Sequence, residues 1–258
     1  MELVRVTKEN IEKEHICCAI SNNGDIQVAS KKAWLKERFD DGLVFLKGDV
    51  RGKCFIEYIP ADKAWAPIEA DNYMYINCLW VSGKYKGQGN SNLLLEECIS
   101  DSRNKGYSGL CCLSSDKKRA FLADKGYLLH KGFEVCDSAP PFFELMYLPF
   151  VDKSEKSATA NLPSFKKSAK SGSPMREGFV LYYSHQCPYC AKYVPIIEEM
   201  AQGRGVPFKA VRFLSCEQAQ EGPSPFSTYS LYHNGEFVSN EIFSEAKFEK
   251  LLKQKGYE

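Results

Sequence analysis

Two cysteines separated by two residues, Cys187 and Cys190, have the spacing of a redox-active dithiol. The apolar run at residues 178–183 predicts a buried strand, and Pro188 stands where a helix can begin without a backbone N–H. A thiol at the start of a helix is stabilised as a thiolate, because the helix dipole is positive there. We therefore predict that Cys187 is the reactive thiol and that Cys190, one turn inside the helix, resolves a mixed disulfide.

Other interpretations of this pair stay open. The two cysteines could be structural, or they could bind a soft metal or metalloid ion. A zinc site is disfavoured, because no second Cys-x-x-Cys supplies further ligands. His185 could add positive charge beside the dithiol, although a surface histidine is the favoured interpretation. Cys216 could be a third redox thiol, although a bystander thiol is favoured.

A loop with two glycines at residues 84–91 is the second stretch with a chemical interpretation. It follows a predicted strand at residues 74–81 and precedes a predicted helix at residues 92–105, which has one apolar face. Gly87 and Gly89 allow a tight turn in which backbone N–H groups converge. Together with the positive start of the helix, these groups form an anion site suited to a pyrophosphate.

Composition limits the class of protein. The chain has 258 residues, 44% hydrophobic and 26% charged, which is typical of a soluble globular protein. A formal net charge of +1 argues against electrostatic nucleic-acid binding, and no apolar run is long enough to span a membrane. Without an export signal, the eleven cysteines favour a reducing, cytoplasmic location with most thiols free and packed as apolar side chains. The adjacent pairs Cys17-Cys18 and Cys111-Cys112 suit that interpretation.

The chain divides where its composition changes. Residues 151–176 are rich in serine and lysine, with six Lys/Arg against two Asp/Glu, and cannot bury enough apolar surface to offset the entropy of ordering. We therefore predict a first domain at residues 1–150, a flexible basic linker at 151–176 and a second domain at 177–258.

The first domain resembles the GNAT acetyltransferases. The sequence INCLWVSGKYKGQGNSNLLLEECI is similar to their central motif, R/Q-x-x-G-x-G/A between a strand and a helix, and Lys131-Gly132-Phe133 resembles a landmark near the family's end. The resemblance implies that acetyl-CoA lies along the strand, with its pyrophosphate on the loop and its thioester carbonyl polarised by a backbone N–H. The residues implied to bind the cofactor are Leu79, Trp80, Val81, Lys84, Lys86, Gly87, Gln88, Gly89, Asn90 and Ser91.

The catalytic residues are less defined by the sequence. Tyr127 is the candidate general acid, with a packed helix aromatic as the alternative. The family's frequent tyrosine falls on Leu128. Residues expected to have no catalytic part are the surface carboxylates Glu57, Glu69 and Glu144, the exposed His130, and the core thiols Cys78, Cys111 and Cys112.

The second domain is similar to thioredoxins and glutaredoxins. YYSHQCPYC resembles a glutaredoxin active site, but Ser227-Thr228 stands where these families place a proline beside the dithiol. The whole chain thus resembles the YoaP-type acetyltransferases, which implies an α/β (α+β) protein with a GNAT fold followed by a small thioredoxin-like domain. The implied function is acetyl-CoA-dependent N-acetylation of a small-molecule or peptide amine. The alternative is a thiol–disulfide oxidoreductase or soft-metal-binding protein whose GNAT part binds a ligand without turnover.

Overall fold

The chain folds into strands and helices in the computed structural model, which describes residues 1–16, 18, 22, 24–150 and 162–257. The strands are β1 (Leu3–Val6), β2 (Val44–Gly48), β3 (Cys54–Pro60), β4 (Ile68–Glu69), β5 (Tyr73–Val81), β6 (Gly109–Ser115), β7 (Glu134–Ala139), β8 (Phe143–Pro149), β9 (Ser164–Phe165), β10 (Phe179–Tyr183), β11 (Phe208–Arg212), β12 (Tyr229–His233) and β13 (Glu236–Ser239). The α-helices are α1 (Ile26–Phe39), α2 (Asn90–Asn104), α3 (Lys125–His130), α4 (Pro188–Gly203), α5 (Cys216–Gln220) and α6 (Glu245–Gln254).

The first half of the chain forms a seven-stranded sheet with the order β1-β2-β3-β5-β6-β8-β7. β5 and β6 are parallel, and the other neighbours are antiparallel. The pairing of β5 with β6 ends at Ile76 and Cys112, although β5 continues to Val81. Near that point β5 carries one extra residue, Asn77, opposite the Glu57/Tyr58 step of β3, and such a bulge bends a strand away from its neighbour.

The two faces of this sheet are covered differently. α2 packs on one face against β3, β5 and β6, over a core that includes Met74, Leu94 and Phe133. α1 covers the other face, and the core there continues into the second half of the chain through Val180 and Tyr232. One buried cluster therefore joins the two halves.

The second half forms a four-stranded sheet with the order β11-β10-β12-β13. β10 is parallel to β11, whereas β12 is antiparallel to both of its neighbours. α4 and α6 pack together on a core that includes Leu181, Ile197 and Phe248. The predicted strand at 178–183 and the helix from Pro188 are confirmed, and β12 and β13 form a hairpin that turns at Asn234-Gly235.

The segment before the second sheet differs from the flexible linker that the composition predicts. Residues 151–161 lie outside the described residues, but β9 pairs with β4, and Phe165 and Ala169 are buried in the shared core. Asp137 holds the segment in place by accepting hydrogen bonds from the Phe165 N–H and the Lys170 ammonium, each at 2.8 Å. Residues 162–176 are therefore part of the packed structure, and the division into two domains stays a prediction.

Candidate functional site

The glycine loop connects β5 to α2 through a short 3₁₀ turn at Gly83–Tyr85. Gly87 and Gly89 both have φ of +77°, a left-handed conformation that glycine adopts without strain. The buried Asn90 side chain closes the loop by donating to the Tyr85 carbonyl oxygen at 2.9 Å. Among the described residues, we find no acceptor for the backbone N–H groups of residues 87–89. The loop thus presents free donors at the positive end of α2.

The strand before the loop has a free edge. Because β6 separates from β5 after Ile76, residues 77–81 have lost a strand neighbour, and their side chains are half-buried on an otherwise buried strand. Leu79 and Val81 face the side that carries α2, whereas Cys78 and Trp80 face the side that carries α1. The residues implied to bind a cofactor therefore lie at the end of β5, in the loop and in the first turn of α2, and the Trp80 side chain points away from α2.

Tyr127 lies on α3, on the same side of the sheet as Leu79 and Val81. Its hydroxyl is 3.4 Å from Asn92 Oδ1 in the first turn of α2. Burial raises the pKa of Tyr127, so the hydroxyl is protonated at neutral pH and can donate a proton.

Glu57 is buried, so the prediction of a solvated carboxylate at this position is wrong. It is 1% exposed, with one oxygen 2.5 Å from Lys31 Nζ and the other accepting from the Asn77 amide at 3.0 Å. Lys31 Nζ also donates to the Gln186 carbonyl oxygen at 2.7 Å, so it joins α1, β3 and the residue before Cys187. Burial opposes the charge on Lys31, but Glu57, Cys18 and Cys187 together outweigh burial and raise the pKa of Lys31. Of the other carboxylates, Glu69 is exposed and Glu144 pairs with Lys125.

The two thiols of the CPYC motif have different environments. Cys187 is the N-cap of α4 and is partly exposed, whereas Cys190 is buried and donates to the Thr228 carbonyl oxygen at 3.3 Å. The pKa of Cys187 is lowered chiefly by the Cys190 thiol, with burial opposing and the Tyr189 amide and Lys31 ammonium assisting. Burial raises the pKa of Cys190. Thr228 occupies the place predicted for the residue beside the dithiol, directly before β12.

Two further thiols lie beside Cys187, which the sequence did not indicate. Cys18 and Cys78 are close enough for the charges of Lys31, Glu57 and Cys187 to act on them. Burial raises the pKa of Cys78 to about 12 and raises that of Cys18 as well. The Tyr189 hydroxyl donates to the Cys18 carbonyl oxygen at 3.1 Å, which fixes α4 against the first half. Cys187 is thus the ionisable member of this group.

Burial determines the environment of most of the remaining candidate residues. Cys111 and Cys112 are buried on opposite faces of β6, as expected for core thiols, and Cys17 lies outside the described residues. Burial raises the pKa of Cys216 to about 11, which disfavours a redox thiolate. Burial and Arg212 lower the pKa of His185, so it is neutral and adds no charge to the dithiol. His130 is exposed, as predicted.

A cavity of about 300 Å³ lies between the two halves of the chain. Trp80, from the free edge of β5, and Phe121 form one side, and Tyr189 and Tyr193 of α4 form another. Glu241 and Lys247 complete the wall and pair with each other. The free strand and the CPYC helix therefore line the same space.

The described residues contain neither a metal-binding cluster nor a membrane-spanning helix. We find no group of three or more histidine, cysteine or acidic side chains arranged to hold a metal ion. None of the described helices combines the length and apolar character that a membrane span requires.

Comparison with known proteins gives one similarity over nearly the whole chain. The uncharacterized N-acetyltransferase YoaP of Bacillus subtilis (strain 168) is 43% identical over 250 residues, which are 96% of this chain and 97% of that protein. The family described as YoaP-like matches residues 207–250.

Solved structures of acetyltransferases overlap with part of the chain. A GNAT family N-acetyltransferase (YhbS) from Escherichia coli in complex with CoA is 14% identical, with a TM-score of 0.40, and the match covers 64% of this chain and 88% of that one. A ribosomal-protein-alanine N-acetyltransferase from Brucella melitensis is 17% identical, with a TM-score of 0.42, over 58% of this chain and 99% of that one.

Proposed function

The chain belongs to the YoaP family of N-acetyltransferases, and from that premise we propose that it transfers the acetyl group of acetyl-CoA to an amine. The single observation that carries the proposal is the free edge of β5 leading directly into the glycine loop. A backbone edge without a strand neighbour can hydrogen-bond the amide groups of a pantetheine arm. The anion site at the end of the same edge is where the pyrophosphate would follow.

The cofactor would occupy the α2 side of β5. Residues 87–91 would hold the pyrophosphate with backbone N–H groups, while the exposed Lys84 and Lys86 add positive charge at the rim. Leu79 and Val81 would contact the pantetheine arm. The thioester carbonyl would lie near the bulge, where a backbone N–H can stabilise the negative charge of the tetrahedral intermediate.

Tyr127 is the proposed general acid. After the amine attacks the thioester carbon, the C–S bond breaks and the CoA thiolate needs a proton. Tyr127 is protonated at neutral pH, and it lies on the cofactor side of the sheet beside the first turn of α2. Its replacement by phenylalanine should lower kcat without changing the affinity for acetyl-CoA.

We propose a thioredoxin-like second domain at residues 177–258. The order β10-α4-β11-α5-β12-β13-α6, the central β10 and the dithiol at the start of α4 support it. The lowered pKa of Cys187 favours a thiol–disulfide role for this domain. A thiol–disulfide oxidoreductase is therefore the second candidate function.

Calorimetric titration with acetyl-CoA tests the proposed function. Gly89→Glu places a negative charge at the anion site and a side chain at a left-handed residue, so the folded variant should lose binding. Gly203→Ala is the matched control, because the space around Gly203 is open and its φ is not left-handed. Unchanged affinity in folded Gly89→Glu, or insulin reduction without any acetyl-CoA binding by the wild type, would contradict the assignment.

A further inference from the structure

The dithiol of the second half lies close to the free edge of β5 in the first half, since Cys187 acts electrostatically on Cys78. Trp80 lies three residues after Asn77, the bulge residue near the proposed thioester position, and Tyr189 lies inside the CPYC motif. Both side chains line the cavity between the halves. The cavity therefore adjoins the cofactor strand and the first turn of the helix that Cys187 caps.

A buried ion pair fixes the distance between the two centres. Lys31 Nζ bonds to the carbonyl oxygen of Gln186, the residue before Cys187, and to Glu57. Glu57 stands directly opposite Cys78 across the β3–β5 pairing, at the bulge. Both side chains of the ion pair are at most 2% exposed, so the ion pair is shielded from water.

The thiols in this region are not equivalent. Cys18 and Cys78 are held protonated by burial, while Cys187 is ionisable and partly exposed, with Cys190 behind it. One nucleophilic sulfur with a resolving partner therefore faces the side of β5 opposite the proposed cofactor. Acetyl transfer to an amine does not itself require such a sulfur, whereas an acceptor that contains sulfur would involve it in the same reaction.

We infer that the acetyl acceptor is an aminothiol presented as a disulfide, captured by Cys187 and acetylated on its amine while tethered. This inference rests on the proposed acetyltransferase function and names the substrate class of that site. The cavity of about 300 Å³ has the size of a small-molecule site. Its aromatic faces suit a compound that enters as a cation, whereas the Glu241 carboxylate is already paired with Lys247.

The reaction is balanced in three steps. The Cys187 thiolate attacks one sulfur of the substrate disulfide; a new S–S bond forms, the old one breaks, and the released thiolate takes a proton. The tethered amine, after losing a proton to solvent, attacks acetyl-CoA; the C–N bond forms, and CoA leaves as a thiolate that is protonated. Cys190 then attacks Cys187, which releases the N-acetylated thiol and leaves a Cys187–Cys190 disulfide. Two molecules of a low-molecular-weight thiol then reduce that disulfide to the dithiol and are themselves oxidised to a disulfide.

Cystamine, the disulfide of two aminoethanethiol units, is the probe for this reaction. In Cys190→Ser the tether cannot resolve, so cystamine should add one aminoethylthio group per chain, mapped to Cys187. Adding acetyl-CoA should then add the mass of one acetyl group to that adduct, and dithiothreitol should release N-acetylcysteamine. Acetylation of the tethered amine should be at least about 100-fold faster than that of free hexane-1,6-diamine, the all-carbon analogue, at millimolar concentration.

Three controls separate the possible failures. Cys187→Ser should form no adduct, and Cys190→Ser/Gly89→Glu should form the adduct but gain no acetyl group. If acetyl-CoA binds and the tethered amine is not acetylated, or if hexane-1,6-diamine reacts as fast, the inference is wrong while the proposed function stands. If the wild type fails to bind acetyl-CoA, the proposed function fails, and the inference fails with it.

Discussion

Replacing Lys31 by methionine removes the ammonium group that connects α1, β3 and the residue before Cys187. At the observed 2.5 Å, an effective dielectric constant of about 20 gives an attraction of about 7 kcal/mol between Lys31 and Glu57. The desolvation of two ions, several kcal/mol each, offsets most of it. The intact pair therefore contributes little net stability, but loss of one partner leaves a buried charge unpaired. Lys31→Met should lower the free energy of unfolding by about 3–5 kcal/mol.

Urea denaturation of Lys31→Met, Glu57→Gln, the double variant and the control Lys8→Met measures this coupling. Lys31→Met/Glu57→Gln should recover most of the loss, because the glutamine oxygen can still accept from Asn77 and no unpaired charge remains. Lys8→Met is the control, since its ion pair with Asp40 is exposed and should contribute less than about 1 kcal/mol. Lys31→Met should also move the alkylation profile of Cys187 to higher pH, because the ammonium helps to lower its pKa. A loss below about 1 kcal/mol, or a double variant as unstable as the sum of the singles, would refute the reasoning.

Other predictions concern the loop, the dithiol and the segment before the second sheet. Asn90→Ala removes the bond that closes the glycine loop and should weaken acetyl-CoA binding about tenfold in calorimetry, whereas Ser171→Ala, which breaks an exposed bond, should leave it unchanged. Alkylation at neutral pH should label Cys187 ahead of Cys190 and Cys216, because Cys187 alone among them has a lowered pKa; equal labelling would contradict this. The pKa of Asp137 is lowered, because the hydrogen bonds from Lys170 and the Phe165 amide outweigh the opposing effect of burial. The contribution of Asp137 to stability is therefore present above the ordinary pKa of aspartate. It is lost as the pH falls through the lower pKa of the folded protein. Asp137→Asn should therefore allow trypsin to cut after Lys166 and Lys170 at neutral pH, whereas Asp116→Asn should not; resistance in both variants would contradict the role of Asp137.

Local sequence patterns were sufficient for the parts of the fold that have one apolar face or a defined turn. The helix after the glycine loop, the strand β5 and the hairpin at Asn234-Gly235 follow from periodicity and turn chemistry. α1 was not predicted, because Lys31 and Lys32 occupy positions that the structure buries. Their burial depends on partners in other parts of the chain, which periodicity does not record.

The same reason explains what the sequence missed in the site. In the sequence, Glu57 has the pattern of a surface carboxylate in an otherwise apolar strand. In the structure it is buried, because Lys31 and Asn77 provide its hydrogen-bond partners. The basic composition of residues 151–176 suggests disorder, but Asp137 supplies the charge that holds residues 162–176 in place. Trp80 and Tyr189 likewise line one cavity although they lie more than one hundred positions apart in the sequence.

Hydrogen–deuterium exchange with and without acetyl-CoA tests the central claim, that the cofactor binds along the free edge of β5 and at the glycine loop. The N–H groups of residues 87–89 have no acceptor among the described residues, so they should exchange rapidly in the free protein. With acetyl-CoA, peptides covering residues 79–81 and 87–91 should become protected. Gly89→Glu should show no such protection. Protection confined to the second sheet, or none in either stretch at a saturating concentration of acetyl-CoA, would contradict the account.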